Sequence, residues 1–150
     1  VGDQETSDLR LLARELGIDR RVDFLGSVDQ TLLPRYYAAS DVCVLPSHYE
    51  SFGFAALEAA ACEKPVVASN VGGLPSVVLS GETGYLISWR CPGPFATCLE
   101  LLLENDYLRR SLGRAAREHA TTLTWDVSVD ALMVLYESLV SDRLSSLTVA

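Results

Sequence analysis

Glu50 and Glu58, with seven residues between them, are the pair in this sequence whose type and spacing could do chemistry. The second glutamate interrupts a run from Phe54 to Cys62 that is otherwise apolar, on the side of the helix shared with Phe54 and Ala61. Such a run predicts a buried helix. A carboxylate within it must find donors or a ligand, because burying it unpaired is prohibitive. It could accept two hydroxyls of a sugar ring such as a ribose. A helix starting near Phe52 or Gly53 would offer free backbone N–H groups and its positive dipole end, which suits phosphate oxygens. Gly53 removes a side chain where a ligand would have to approach closely.

Each of these residues also has a plainer reading. Glu50 could be an exposed loop carboxylate, and Glu58 a buried acid paired with an arginine of the same domain. Gly72-Gly73 could admit a ligand or simply form a turn. His48 could face a sugar or pack its loop, and His119, near a helix end, could complement the dipole. Trp89 and Trp125 read as packing residues.

These residues depend on alternating strands and helices. Asp41–Pro46 reads as a strand buried on both faces of a parallel sheet, and ligands bind beyond the carboxyl ends of such strands. Val1-Gly2-Asp3 reads as the tail of a strand. A helix is expected over about 8–16, from Leu9, Leu12, Ala13 and Leu16, with Ser7 or Asp8 as N-cap and Gly17 as stop. Arg21–Gly26 alternates as a strand should. A short helix follows through Leu32, Leu33, Tyr36, Tyr37 and Ala38, with Pro34 in its first turn. Lys64–Ser69 is a second buried strand, and a glycine turn leads into a helix at about 75–80. The strand Tyr85–Ile87 precedes three closing helices at about 95–104, 106–120 and 125–141. Asn105 or Asp106 caps the second of these and Thr124 the third, whose Leu132, Leu135, Tyr136 and Leu139 form one stripe. The tail from Ser141 is expected to fray. This order predicts an α/β fold, a Rossmann-like three-layer parallel sheet.

Composition excludes several functions. At 150 residues and 49% apolar content the chain can hold one domain with a core. A net charge of −8 argues against nucleic acid and against an anionic membrane surface. Cys43, Cys62, Cys91 and Cys98 form no CxxC pair and no metal-like spacing, so reduced structural thiols in a cytoplasmic protein are expected. No apolar run reaches the roughly 18 residues of a membrane span. No signal peptide, catalytic triad, Walker-type loop or GxGxxG pattern is visible.

Residues 46–78, PSHYESFGFAALEAAACEKPVVASNVGGLPSVV, closely resemble the signature region of the family 4 (group 1) retaining glycosyltransferases, with Glu50 and Glu58 as its Glu-x7-Glu element. The resemblance extends to Val22–Gly26, Tyr36–Asp41, Thr83–Ile87 and Leu123–Trp125. It implies a GT-B architecture in which this chain is the C-terminal, donor-binding Rossmann-like domain. The residue matching Glu50 would contact hydroxyls of the transferred sugar as the catalytic carboxylate, and the one matching Glu58 would hold the nucleotide ribose. Ser51 and the amides of Phe52, Gly53 and Phe54 would meet the sugar and diphosphate, with Gly72 and Gly73 beside them. The loop at Ser27 and Val28 would bind the base. The donor would be a nucleotide-diphosphate sugar, with no metal or other cofactor. A carbohydrate or lipid-linked acceptor would belong to an N-terminal domain absent from this chain.

Two departures from the family pattern bear on activity. The Arg and Lys that clamp the diphosphate would lie ahead of Val1; the only lysine, Lys64, precedes a strand and belongs to the opposite sheet edge. An N-terminally truncated chain, inactive alone, is therefore expected. Ser76 and Glu63 stand where relatives often have Glu and Gly. Ser76 weakens any third carboxylate at the turn, and Glu63 would affect only the helix end. The glycosyltransferase reading predicts that Glu50, Glu58 and the amides of 52–54 converge on one cleft, with Glu58 unpaired by arginine. The alternatives are a degenerate non-catalytic domain used for association, favoured if Glu58 is salt-bridged, and a sugar-nucleotide epimerase of the same superfamily.

Overall fold

The computed structural model describes residues 3–88 and 91–148. Val1 and Gly2 of the expected strand tail and the packing role of Trp89 lie outside them, and Asp3, the third residue of that tail, is helical. The chain divides into two compact units, residues 1–33 and 34–150.

In the first unit, α1 spans Asp3–Glu15. It starts earlier than expected, so Ser7 and Asp8 lie within the helix rather than capping it. The polar stretch before Leu9 contains no glycine or proline to break a helix. Gly17 does stop it: the amides of Gly17 and Ile18 reach back to the carbonyls of Arg14 and Ala13 at 3.0 and 2.9 Å, the double bond pattern of a Schellman end. Arg21–Gly26 is not a strand. Arg21 closes a short 3-10 turn, Asp19–Arg21, and the following residues have no ladder partner among the described residues. A strand exists only where a neighbour pairs with its backbone. Phe24 instead lies under the Arg10 guanidinium, 4.6 Å from the ring centroid.

The second unit holds a three-stranded parallel sheet in the order β1-β2-β3, with β1 Cys43–Leu45, β2 Val66–Ser69 and β3 Gly84–Ile87. Cys43 pairs with Val66, and Val66 with Gly84. Because side chains alternate along a strand, β2 feeds two cores. Val66 and Ala68 pack with Ala56, Ala59, Leu74, Val77 and Val78, while Val67 packs with Ile87, Leu102 and Leu112. Helices α3 (Phe54–Ala61) and α4 (Leu74–Val77) supply the first core, and α5 (Pro92–Glu104) and α6 (Asp106–Ala120) the second. Three layers result, as expected.

Several details differ from expectation. β1 is not buried on both faces: Val44 is 39% exposed, because β1 is the edge of the described strands and pairs only with β2. Nor is α3 buried all round, since only Ala56, Ala59 and Ala60 are covered and Phe54 is exposed. A helix lying on a sheet keeps an outer face. Asn105 caps α6, its Oδ1 accepting from the Leu108 amide at 2.9 Å, and Thr124 Oγ1 accepts from Val127 at 3.3 Å. The last helix, α7, spans Trp125–Thr148 and does not end at Ser141, since no glycine or proline follows to stop it. Its stripe is not packed: Leu132, Leu135, Tyr136 and Leu139 are exposed, and Trp125 is 80% exposed. Among the described residues no helix is long and apolar enough to cross a membrane.

Candidate functional site

β1 and β2 run parallel, so the segments leaving their carboxyl ends, 46–53 and 70–73, emerge at one sheet edge. They meet backbone to backbone. The Gly73 amide donates to the Glu50 carbonyl at 3.1 Å. A Cβ at Gly72, whose φ is +52°, would lie 1.7 Å from that same oxygen, and one at Gly73 would lie 2.5 Å from the Ser51 carbonyl oxygen. The close approach these glycines permit is therefore to Glu50 and Ser51. Their turn is a structural support for the glutamate loop.

Gly53 is the N-cap of α3 with φ +103° and ψ +45°, a backbone conformation that side chains disfavour. The space its missing Cβ would take is filled by Leu74 Cδ2, 2.9 Å away, so this glycine makes room for the core rather than for a ligand. With glycine at the cap there is no side-chain hydrogen bond to the helix start, and the first intrahelical bond runs from the Leu57 amide to the Gly53 carbonyl at 3.0 Å. The donors that open an α-helix are left for another acceptor. Phe52 and Phe54 flank them, ring centroids 5.0 Å apart.

Glu58 sits one turn further along, partly buried. Its Oε2 accepts a hydrogen bond from the Tyr37 hydroxyl at 3.1 Å. Among the described residues no ion pair involves Glu58; the arginines that form one reach Asp41, Asp106 and Glu63. Burial, and next the hydrogen bond to Glu58, raise the Tyr37 pKa from 10.0 to about 12. The phenol therefore remains a donor throughout the neutral range. Tyr37 comes from α2 (Leu33–Ala39), where the sequence suggested only a place in a short helix. Nothing in local spacing signals a bond across 21 residues.

Glu50, Ser51, Phe52, Gly53, Phe54, Glu58, Gly72 and Gly73 all belong to the second unit, and Val28 belongs to the first. A cavity of about 290 Å³ is bounded by Phe52, Phe54, Leu57 and the start of α7, and another of about 450 Å³ by Val44, Ser47, His48, Phe95 and Leu99. Neither is lined by Glu50 or Glu58. Lys64 is remote from this edge, at the amino end of β2, where its Nζ caps the Ala38 carbonyl of α2 at 2.9 Å. His119 does more than face a helix end: its Nε2 lies 3.0 Å from the Ser76 carbonyl oxygen. The four cysteines are free.

A family model described as "Glycosyl transferases group 1" matches residues 1–119. The chain belongs to this family. As a group 1 glycosyltransferase chain it is 44% identical over 139 residues to D-inositol 3-phosphate glycosyltransferase of Corynebacterium jeikeium, covering 93% of this chain and 33% of that protein. Among solved structures it resembles sucrose-phosphate synthase from Thermosynechococcus elongatus, with TM-score 0.81, 36% identity, and 93% and 35% of the two chains covered. It also resembles Anabaena HepE in complex with UDP and glucose, with TM-score 0.79, 27% identity, and 91% and 37% covered. The chain thus spans about a third of the length of the curated relative it matches.

Proposed function

We propose that this group 1 chain supplies the donor-binding part of a retaining glycosyltransferase, which moves a sugar from a nucleotide-diphosphate sugar to a carbohydrate or lipid-linked acceptor. The observation that carries the reading is Glu58: a partly buried carboxylate bonded by a phenol and by no arginine among the described residues, one turn from a helix start without a side-chain cap. A carboxylate with unused lone pairs suits a vicinal diol, and uncapped amides suit phosphate.

Glu58 takes the ribose hydroxyls, and Glu50 contacts the transferred sugar as the catalytic carboxylate. Ser51 and the amides of Phe52, Gly53 and Phe54 stabilise charge growing on the departing diphosphate, which is electrostatic catalysis by preoriented dipoles. No step of this reading calls on a metal ion. Gly72 and Gly73 hold the loop. The acceptor is met by a separate N-terminal domain. The HepE structure, described as a complex with UDP and glucose, supports a donor of this class. The free cysteines suit a reducing cytoplasm. An association domain without ligand would be favoured by a salt-bridged Glu58, which the described ion pairs do not include.

The test is an NMR titration of the chain with UDP, GDP and ADP. One nucleotide is expected to shift amides over 52–58, and Glu58→Ala to abolish the response. Where the folded chain responds to none of the three, the same titration of the full-length protein decides, and no response there contradicts the reading.

A further inference from the structure

We infer that Tyr37 is a positioning residue for the donor ribose: its hydroxyl occupies one acceptor site on Glu58 Oε2 and holds the carboxylate so that its remaining lone pairs meet the two ribose hydroxyls. The inference rests on the proposed role of Glu58 and adds a residue that acts through it.

Three observations converge on it. Tyr37 Oη donates to Glu58 Oε2 at 3.1 Å. The backbone carrying Tyr37 is pinned, with Ser40 Oγ donating to the Tyr37 carbonyl at 2.8 Å and Lys64 Nζ donating to the next carbonyl, Ala38, at 2.9 Å. The ring packs against the core cluster that includes Ala56 and Ala59, on the helix that carries Glu58. A phenol anchored at both backbone and ring has little freedom left at χ1 and χ2, so its hydroxyl is a fixed donor.

An ionised carboxylate offers about four lone-pair directions. Tyr37 uses one, and Oε1 together with the second lone pair of Oε2 remains for a vicinal diol. A glutamate side chain has three torsions to order, at a cost in rotamer entropy. A pre-existing bond from a rigid phenol meets that cost before the nucleotide arrives, and this is preorganisation. Because the phenol titrates far above neutrality, the donor is never lost at working pH, and Tyr37 stays a donor to Glu58 rather than a competitor for protons.

The consequence is specific to the ribose. Without the hydroxyl, Glu58 should still carry its charge but lose its set direction, so the penalty falls on ligands that possess both hydroxyls. The experiment measures affinities of the full-length protein for UDP, GDP and ADP and for their 2′-deoxy counterparts, in the wild type, Tyr37→Phe and Glu58→Ala. Tyr37→Phe keeps the packed ring. It is expected to weaken binding of the preferred ribonucleotide about five-fold, the scale of one net hydrogen bond, while leaving the deoxy form nearly unchanged. The ribose-to-deoxyribose preference should thus shrink in Tyr37→Phe and vanish in Glu58→Ala. If Glu58→Ala loses the preference and Tyr37→Phe retains it, the tyrosine inference is overturned while the donor reading stands. Equal weakening of ribo and deoxy ligands in Tyr37→Phe also overturns it, since that marks a merely structural role. If the wild type binds no nucleotide, or Glu58→Ala binds as the wild type does, the donor reading fails and takes this inference with it.

Discussion

At Gly72 a single methyl group would decide whether the glutamate loop keeps its shape. An added Cβ would lie 1.7 Å from the Glu50 carbonyl oxygen, on a residue whose φ is +52°. Overpacking of about 1–3 kcal/mol adds to about 1–2 kcal/mol of left-handed strain. Gly72→Ala is therefore expected to lose about 2–5 kcal/mol in urea unfolding. Gly81→Ala is the control, because its φ is +85° but nothing lies within 4 Å of the added Cβ; it should lose only the strain. The partly buried Cys43 and Tyr37 set a second expectation, in pH. Burial raises the Cys43 thiol from 9.0 to about 11, and Tyr37 rises from 10.0 to about 12. Both groups are neutral when protonated, so the folded state holds their protons more tightly than the unfolded chain does. Their contribution to stability is whole below the unfolded pKa and is lost as pH rises through the folded one. Unfolding free energy should accordingly fall from about pH 9 upward, and urea titrations at pH 8 and 10.5 should show a shallower fall in Cys43→Ala.

At the scale of elements, the ends of helices carry much of the specificity. α3 closes with the Glu63 and Lys64 amides bonded to the Ala60 and Ala59 carbonyls at 2.9 and 3.0 Å, a Schellman end whose left-handed position is held by Glu63 at φ +60°. Glu63→Gly is expected to stabilise the chain by about 0.5–1 kcal/mol, the strain relieved less the entropy added to the unfolded state. The ion pair it gives up, to Arg117 at 3.3 Å, is more than half exposed on both sides and contributes little. Thermal unfolding measures the difference. Between α5 and α6 the link is stronger. Arg109, with its side chain only 16% exposed, reaches Asp106 at 2.7 Å and Asp41 at 3.4 Å and donates to the Leu102 carbonyl at 3.0 Å. Arg109→Ala should lose about 1–3 kcal/mol, and Arg109→Lys should recover only part of it, since an ammonium cannot reproduce the fork. Which elements could be read ahead follows the same physics. β2 declares itself by an unbroken apolar run and α6 by its Asn105 cap, both local signals, whereas α5 starts at Pro92, ahead of the expected position 95. Arg21–Gly26 has the alternation of a strand, but pairing is a property of a neighbour, and the segment cannot announce whether it has one.

Over the whole molecule, what was legible in the candidate site is its residue types, and what was not is their mutual support. Glu50, Glu58 and the glycine-opened helix could be picked out because a carboxylate in an apolar run is chemically conspicuous. Tyr37 could not, since its bond to Glu58 spans distant elements, and the role of Gly72-Gly73 depends on which backbone comes close to them. The α7 stripe misled for a related reason: helical spacing shows that a face exists, not that anything covers it. That contrast sets up a gradient of local stability within the second unit. Val66, Val67 and Ala68 of β2 are at most 1% exposed and paired on both sides, so opening them requires global unfolding. Along α7 every residue from Trp125 to Val140 is exposed, leaving its backbone bonds little protection beyond the helix itself. Such segments exchange by local opening. Amide hydrogen exchange followed by mass spectrometry is expected to show α7 exchanging first, α5 and α6 later, and β2 last with the free energy of global unfolding. Protection in α7 equal to that of β2 would mean that the apolar helix is covered in solution, which requires a packing surface beyond those that bury residues in this unit.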